Sequence, residues 1–298
     1  MPAAPIPSSR AHPWYTSEGS YAEIAAWCKS HNARLPDYVE HNEGKAIWDS
    51  LYPVWDAMKK SIINGLSVSG ELPGGLHVER KAQYLHEQRH IDESPATREN
   101  RLVCAYAFAV AEENAAGGTI VTAPTCGACG VLPAVLLPCA RHFSLSREQL
   151  VQALYVASGF GMVIAARASI SGAEGGCQAE IGSAAAMAAP ALVHLRGGTP
   201  SMMAHACAMA VKNLLGLVCD PVGGLVEVPC VKRNVIGAMD ALSAAQMALA
   251  GIESRVPPDQ VLDAMAEVGR SLPPSLRETG KGGLAATPFG MAYAPKEG

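Results

Sequence analysis

Long alanine-rich, apolar stretches broken by glycine and proline constrain this chain more than any other feature. From Leu102 onward the residues turn small and aliphatic, with Cys104, Ala107 and Ala111 on one helical face, while strict two-residue alternation is scarce. Valine-rich pieces such as Val226 to Val228 are too short to build a sheet. The chain therefore reads as mainly α, an alanine/glycine-rich helical domain whose small side chains allow close helix crossings. Only 4 phenylalanines occur in 298 residues, so leucine, valine, alanine and methionine must fill the core.

Helical spacing predicts helices over Tyr21 to Lys29 and over Gly44 to Asn64, where Ile47, Leu51, Trp55, Met58 and Ile62 share one side. Gly70 to Leu76 reads as a turn, and the charged Glu79 to Arg101 as a solvated linker with a short helix. Further helices are predicted over Val131 to Leu137, Arg147 to Ala168, Gly182 to Leu195, Pro200 to Leu217, Val235 to Ala250 and Pro257 to Gly269. Residues 1 to about 18 read as a tail or an arm laid on a neighbour. The expected organisation is an N-terminal arm with helices over 1–69, continuous with a helical unit over 70–298.

Apolar residues make up 49% of the chain and charged residues 17%, so a partner is expected to cover part of the apolar surface. The net charge of -4 and the lack of basic runs argue against nucleic acid as that partner. The first residues lack a basic start and an apolar run, which points to a cytoplasmic protein. Thr119 to Ala140 and Gln149 to Ala166 resemble membrane spans in length. Their prolines and glycines (Pro124, Pro133, Pro138, Gly127, Gly130, Gly159, Gly161) favour buried core segments and no membrane.

A reducing compartment makes a disulfide framework among the 9 cysteines unexpected, leaving metal ligands, reactive thiols or small buried hydrophobes. Cys104 reads as core packing. Three others sit beside helix-breaking residues. Ser169 to Gln178 reads Ser-Ile-Ser-Gly-Ala-Glu-Gly-Gly-Cys-Gln, and Cys219 to Cys230 reads Cys-Asp-Pro-Val-Gly-Gly-Leu-Val-Glu-Val-Pro-Cys. Cys177, Cys219 and Cys230 are candidate ligands of an iron-sulfur cluster, although this is not the compact spacing of a ferredoxin, and packing or isolated thiols stay open. Cys126-Gly-Ala-Cys129 has the form of a redox or zinc pair but lacks the βαβ setting and nearby histidines. Cys129 reads as packing, and Cys126 as a further thiolate. Asp220 reads as a turn cap.

Together with Glu113 to Leu132 and Arg277 to Thr287, these two segments resemble the alpha chain of the iron-sulfur-dependent L-serine dehydratases, over about Gly70 to Pro288. The resemblance implies a mainly helical domain bearing a [4Fe-4S] cluster on Cys177, Cys219 and Cys230. It also implies deamination of L-serine to pyruvate and ammonia without pyridoxal phosphate. Three thiolates leave one iron open to act as a Lewis acid on the substrate hydroxyl. Candidates for orienting and activating such a substrate are Ser169, Ser171, Glu174, Thr125 and Lys281 as catalytic groups. Thr122, Gly172, Arg277 and Thr279 are candidates for binding it, the cations suiting its carboxylate. Ser171 also suits a helix cap, and Glu174 a structural hydrogen bond.

The chain departs from the single-chain members of that family in four places. Cys126 replaces an Asn, which suggests that it supplies a displaceable fourth ligand. The end, Pro295 to Gly298, carries no cysteine. Asn213-Leu214 stands for a His-Asn pair, and Arg167 for an Asn. No counterpart of the family's Ser- and His-containing beta-domain loop occurs, so a separate beta subunit and a hetero-oligomer or dimer are expected. Rival readings are elimination from L-threonine or L-cysteine, and a non-catalytic iron-sulfur scaffold or sensor.

Overall fold

A computed structural model describes residues 19–88 and 93–294; the predicted N-terminal arm and the chain's last four residues lie outside them. Among the described residues there is no strand. The helices are α1 (Tyr21–Ser30), α2 (Leu35–Glu43), α3 (Ile47–Leu66), α4 (Ala82–Glu87), α5 (Pro95–Ala115), α6 (Val131–His142), α7 (Arg147–Arg167) and α8 (Gly172–Gly175). A π-helical turn over Gln178–Gly182 leads into α9 (Ser183–Leu195). After it come α10 (Pro200–Leu214), α11 (Cys230–Leu249), α12 (Pro258–Ser271) and α13 (Pro288–Ala292). The mainly α expectation holds.

At the centre lies α9, buried along every face from Ser183 to Val193, as a helix apolar all round must be. Its alanines let α6, α7, α10 and α11 pack against it. The same economy governs the crossing of α3 with α5. A Cβ on Gly65 would fall 2.0 Å from the Ala109 carbonyl oxygen, so only glycine permits this approach.

Polar side chains fix where helices begin. Asp259, in the first turn of α12, accepts from Ser20 Oγ (2.9 Å), Tyr21 N (2.8 Å) and Ala22 N (3.1 Å), joining the starts of α1 and α12. Buried Glu112 accepts from the Lys81 and Ala82 amides at 2.7 and 3.4 Å, satisfying donors that α4 cannot pair itself. Burial pushes the Glu112 carboxyl above its ordinary range.

Several boundaries depart from the sequence reading, each for a local reason. Pro95 at the first helical position and Ser94 accepting from Thr97 N start α5 within the supposed linker. Pro229 likewise precedes α11, which starts at Cys230 rather than Val235. The unpredicted α2 is short and polar, held at its start by Asp37 accepting from Arg34 N at 2.7 Å. Among the described residues, α7 alone is long and apolar enough to cross a membrane. It packs instead against α9, α2, α3 and α12, with its ends paired as Arg147–Asp56 and Arg167–Asp263.

Candidate functional site

The Ser169 to Cys230 stretch folds so that its two ends meet. Cys177 lies where α8 gives way to the π-turn, and Glu180 follows three residues later on the same face. Both Gln178 amide atoms are engaged: Oε1 accepts from Gly216 N (2.9 Å) and Nε2 donates to Met265 O (3.1 Å). Its backbone N–H donates to Leu217 O at 2.9 Å. The turn is thereby pinned to the loop carrying Cys219. Cys219 in turn exchanges backbone bonds with the C-terminal segment, donating to Leu276 O (2.9 Å) and accepting from Glu278 N (2.8 Å). Asp220 Oδ2 accepts from Leu284 N at 2.8 Å, so the glycine-rich C-terminal segment is clamped beside the thiols.

The sulfurs of Cys177 and Cys219 and a carboxylate oxygen of Glu180 lie within 4.8 Å of one another. Cys230, at the first position of α11, is buried close enough to raise the Cys219 thiol by its charge, but falls outside that triplet. Gly172 forms one wall: a Cβ there would sit 2.6 Å from Glu180 Oε2 and 3.3 Å from Cys219 Sγ. On the opposite side, Thr125 Oγ1 donates to Glu180 Oε1 at 2.7 Å.

Electrostatics divide the three thiols. A hydrogen bond from Cys219 lowers Cys177 despite burial, and the nearby Arg233 guanidinium assists. The same hydrogen bond, then burial, pushes Cys219 far above the ordinary thiol range. Burial raises Cys230 to about 12. Their shared hydrogen bond thus moves the two thiols in opposite directions. Burial also raises Glu180, a shift that the Thr125 hydrogen bond opposes.

Two α11 residues brace this arrangement. Arg233 Nη1 lies 3.5 Å from Cys177 Sγ and donates to Val218 O at 2.8 Å, while Nη2 lies 2.8 Å from Asp220 Oδ1. Asn234 Nδ2 donates to Gly127 O (2.7 Å) and Cys230 O (3.0 Å), and its Oδ1 accepts from Gly130 N (2.9 Å). Asp220 accordingly joins helix and loop rather than merely capping a turn.

Beside α8 opens a cavity of about 360 Å³, lined by Ser169, Glu174, Gln178, Met265, Arg270 and Arg277 among others. Ser169 Oγ donates to Glu174 Oε2 at 2.6 Å. Arg277 Nη1 donates weakly to Glu174 O (3.4 Å), whereas its buried Nε has no hydrogen-bond partner. Gly172, at the start of α8, therefore faces the thiols, while the next residues of the same helix, Ala173 to Gly175, line the cavity.

The other candidates disperse. Ser171 occupies the α8 N-cap position without a side-chain cap bond. Thr279 Oγ1 donates back to Pro274 O and Ser275 O, both at 3.2 Å. Thr122 and Lys281 are exposed. Cys126 is exposed beside Thr125, outside the triplet of Cys177, Cys219 and Glu180. Glu180, Arg233 and Asn234 were not singled out from sequence. The Cys-x-x-Glu spacing from Cys177 was the available signal for Glu180, but Arg233 and Asn234 read as ordinary helix polar residues.

Residues 20–285 match the family model described as "Serine dehydratase alpha chain". The chain is 58% identical over 190 residues to the "Probable L-serine dehydratase, alpha chain" of Bacillus subtilis, covering 64% of this chain and 63% of that protein. It is 39% identical over 276 residues to the "L-serine dehydratase, alpha chain" of Peptoniphilus asaccharolyticus, covering 90% and 94%. To the "L-serine dehydratase TdcG" of Escherichia coli it is 40% identical over 276 residues, covering 89% and 61%. It therefore spans less than two thirds of the Bacillus and Escherichia proteins, but nearly all of the Peptoniphilus chain.

Proposed function

Because this chain belongs to the serine dehydratase alpha chain family, we propose that it converts L-serine to pyruvate and ammonia, as the alpha subunit of a two-chain enzyme with a separate beta chain. The observation that carries this reading is the convergence of Cys177 and Cys219, 42 positions apart, on one buried spot with Cys230 alongside. Those thiols fit a [4Fe-4S] cluster in three respects. They are buried, Arg233 stands near enough to offset part of the added negative charge, and Gly172 leaves open the space that a side chain would take.

When bound through three thiolates, the cluster supplies a Lewis-acidic iron that makes the substrate hydroxyl a better leaving group. Arg277, in the cavity wall, holds the substrate carboxylate. Glu174, oriented by Ser169, accepts from the substrate ammonium. Loss of the Cα proton and of water leaves an enamine; its imine tautomer hydrolyses to pyruvate and ammonia without pyridoxal phosphate. Cys126, exposed on the Thr125 loop, serves as the displaceable fourth ligand.

Iron and sulfide analysis of the anaerobically prepared chain tests the centre, beside Cys177→Ala, Cys219→Ala and Cys230→Ala. Each substitution should abolish the stoichiometric cluster, and a full complement in any of them refutes the ligand set. Cys126→Ser should alter the resting spectrum and oxygen sensitivity while keeping iron. Product assays with the beta chain on L-serine, L-threonine and L-cysteine test the substrate; preference for either of the latter overturns L-serine.

A further inference from the structure

The three cysteines assigned to the cluster are not the three donors that the fold brings closest together. Cys177, Cys219 and Glu180 share the tight spacing, whereas Cys230 exceeds 4.8 Å from at least one of their donor atoms. We infer that the cluster-free chain contains a site for a single thiophilic divalent ion, ligated by Cys177 Sγ, Cys219 Sγ and a Glu180 carboxylate oxygen.

The geometry suits one ion. Zinc-like ions take sulfur at about 2.3 Å and carboxylate oxygen at about 2.1 Å, which places tetrahedral donors roughly 3.5 to 3.8 Å apart. Donors within 4.8 Å of one another reach that spacing by small rotations about their side-chain bonds. A fourth position is left for water, on a centre already screened by Gly172 and Gly127.

Glu180 is oriented for ligation, not for a salt bridge. Oε1 is tied to Thr125 Oγ1 at 2.7 Å, leaving carboxylate lone pairs for a metal, and a carboxylate ligand is typically oriented by such an outer hydrogen bond. Both glycines that approach its oxygens lack a side chain that would block the ion: a Cβ on Gly127 would lie 3.1 Å from Oε1, and one on Gly172 2.6 Å from Oε2. On binding, the ion displaces the protons of the two thiols into solvent, removing the sulfur–sulfur hydrogen bond. The resulting charge is one thiolate pair and one carboxylate on a dication, with Arg233 Nη1 at 3.5 Å from Cys177 Sγ as counter-charge.

This assignment does not rest on the dehydratase reading, because it concerns the chain without a cluster. The full-length chain, stripped of iron and kept reduced under anaerobic conditions, is titrated with Co²⁺. The expected result is one Co²⁺ per chain with thiolate-to-cobalt charge-transfer absorption and tetrahedral d–d bands. Cys177→Ser and Cys219→Ser should abolish the charge-transfer signal or halve it, whereas Cys230→Ser and Cys126→Ser should keep it. Glu180→Gln, isosteric and still able to bond Thr125, should weaken Co²⁺ by about tenfold or more, and Thr125→Val by about tenfold. Far-UV circular dichroism identifies any variant that has lost the fold; Glu180→Asp then replaces Glu180→Gln and should shift the d–d bands. Binding that follows Cys230 or Cys126, that is indifferent to both Glu180 variants, or that shows no charge-transfer band overturns the proposal.

Discussion

Replacing Asn234 with alanine should uncouple the two halves of the thiol site and weaken the fold measurably. The side chain is 1% exposed and makes three hydrogen bonds, to Gly127 O, Cys230 O and Gly130 N. The Cys230 carbonyl sits within α11 and keeps its helical partner, so its loss counts for little. Gly127 O and Gly130 N have no such substitute. At about 1 kcal/mol of net stability per hydrogen bond, two lost bonds remove roughly 2 kcal/mol. Stranding the buried Gly130 amide at the start of α6 adds about 1–2 kcal/mol. The sum is roughly 3–4 kcal/mol, measurable by urea denaturation of purified chain with wild type alongside. Asn234→Asp is the discriminating companion. It keeps an acceptor for Gly130 N but turns a carboxylate oxygen toward two carbonyls, so it should be at least as damaging as alanine at neutral pH. A loss below about 1 kcal/mol in Asn234→Ala, or an aspartate variant as stable as wild type, would refute the idea that this amide joins the Cys126 loop to α11.

Burial raises the Asp240 carboxyl to about 6, and its Oδ2 has no hydrogen-bond partner. Its stabilising contribution is complete below its unfolded value near 3.8 and is lost as pH rises through about 6. Asp240→Asn should therefore exceed wild type by roughly 1–2 kcal/mol at pH 7.5 and converge with it near pH 4 in urea titrations; an equal difference at both pH values would contradict the assignment. Gly65→Ala should separate α3 from α5, because its Cβ would lie 2.0 Å from Ala109 O, and cost about 3 kcal/mol or more; a stable variant with unchanged packing would sink this. Gly172→Ala should displace Glu180 and crowd Cys219, lowering iron per anaerobically prepared chain while leaving far-UV circular dichroism intact. Iron content equal to wild type would show that this wall tolerates a methyl group.

Helix content could be read directly from the residue order, and so could the candidate cysteines. Alanine and leucine at helical spacing, interrupted by Gly-Gly and Pro, specify helices whatever surrounds them, and Cys177, Cys219 and Cys230 are conspicuous beside helix-breaking residues. Caps were equally local, and Ser94-Pro95 shows that a boundary was legible even where the charged composition suggested a linker. Residue order could not show which polar groups share a spot, because that depends on helices brought together across long separations. Glu180 acquires meaning only when the π-turn sets it beside Cys219 and Thr125. Arg233 and Asn234 become braces only because α11 runs past the Cys126 loop. Conversely, Thr279 and Lys281, plausible as substrate contacts by chemistry, are turned onto their own backbone or out to solvent. Periodicity and capping are properties of neighbours a few residues apart; the position of a buried charge is set by packing of the whole chain, so only the tertiary structure decides it.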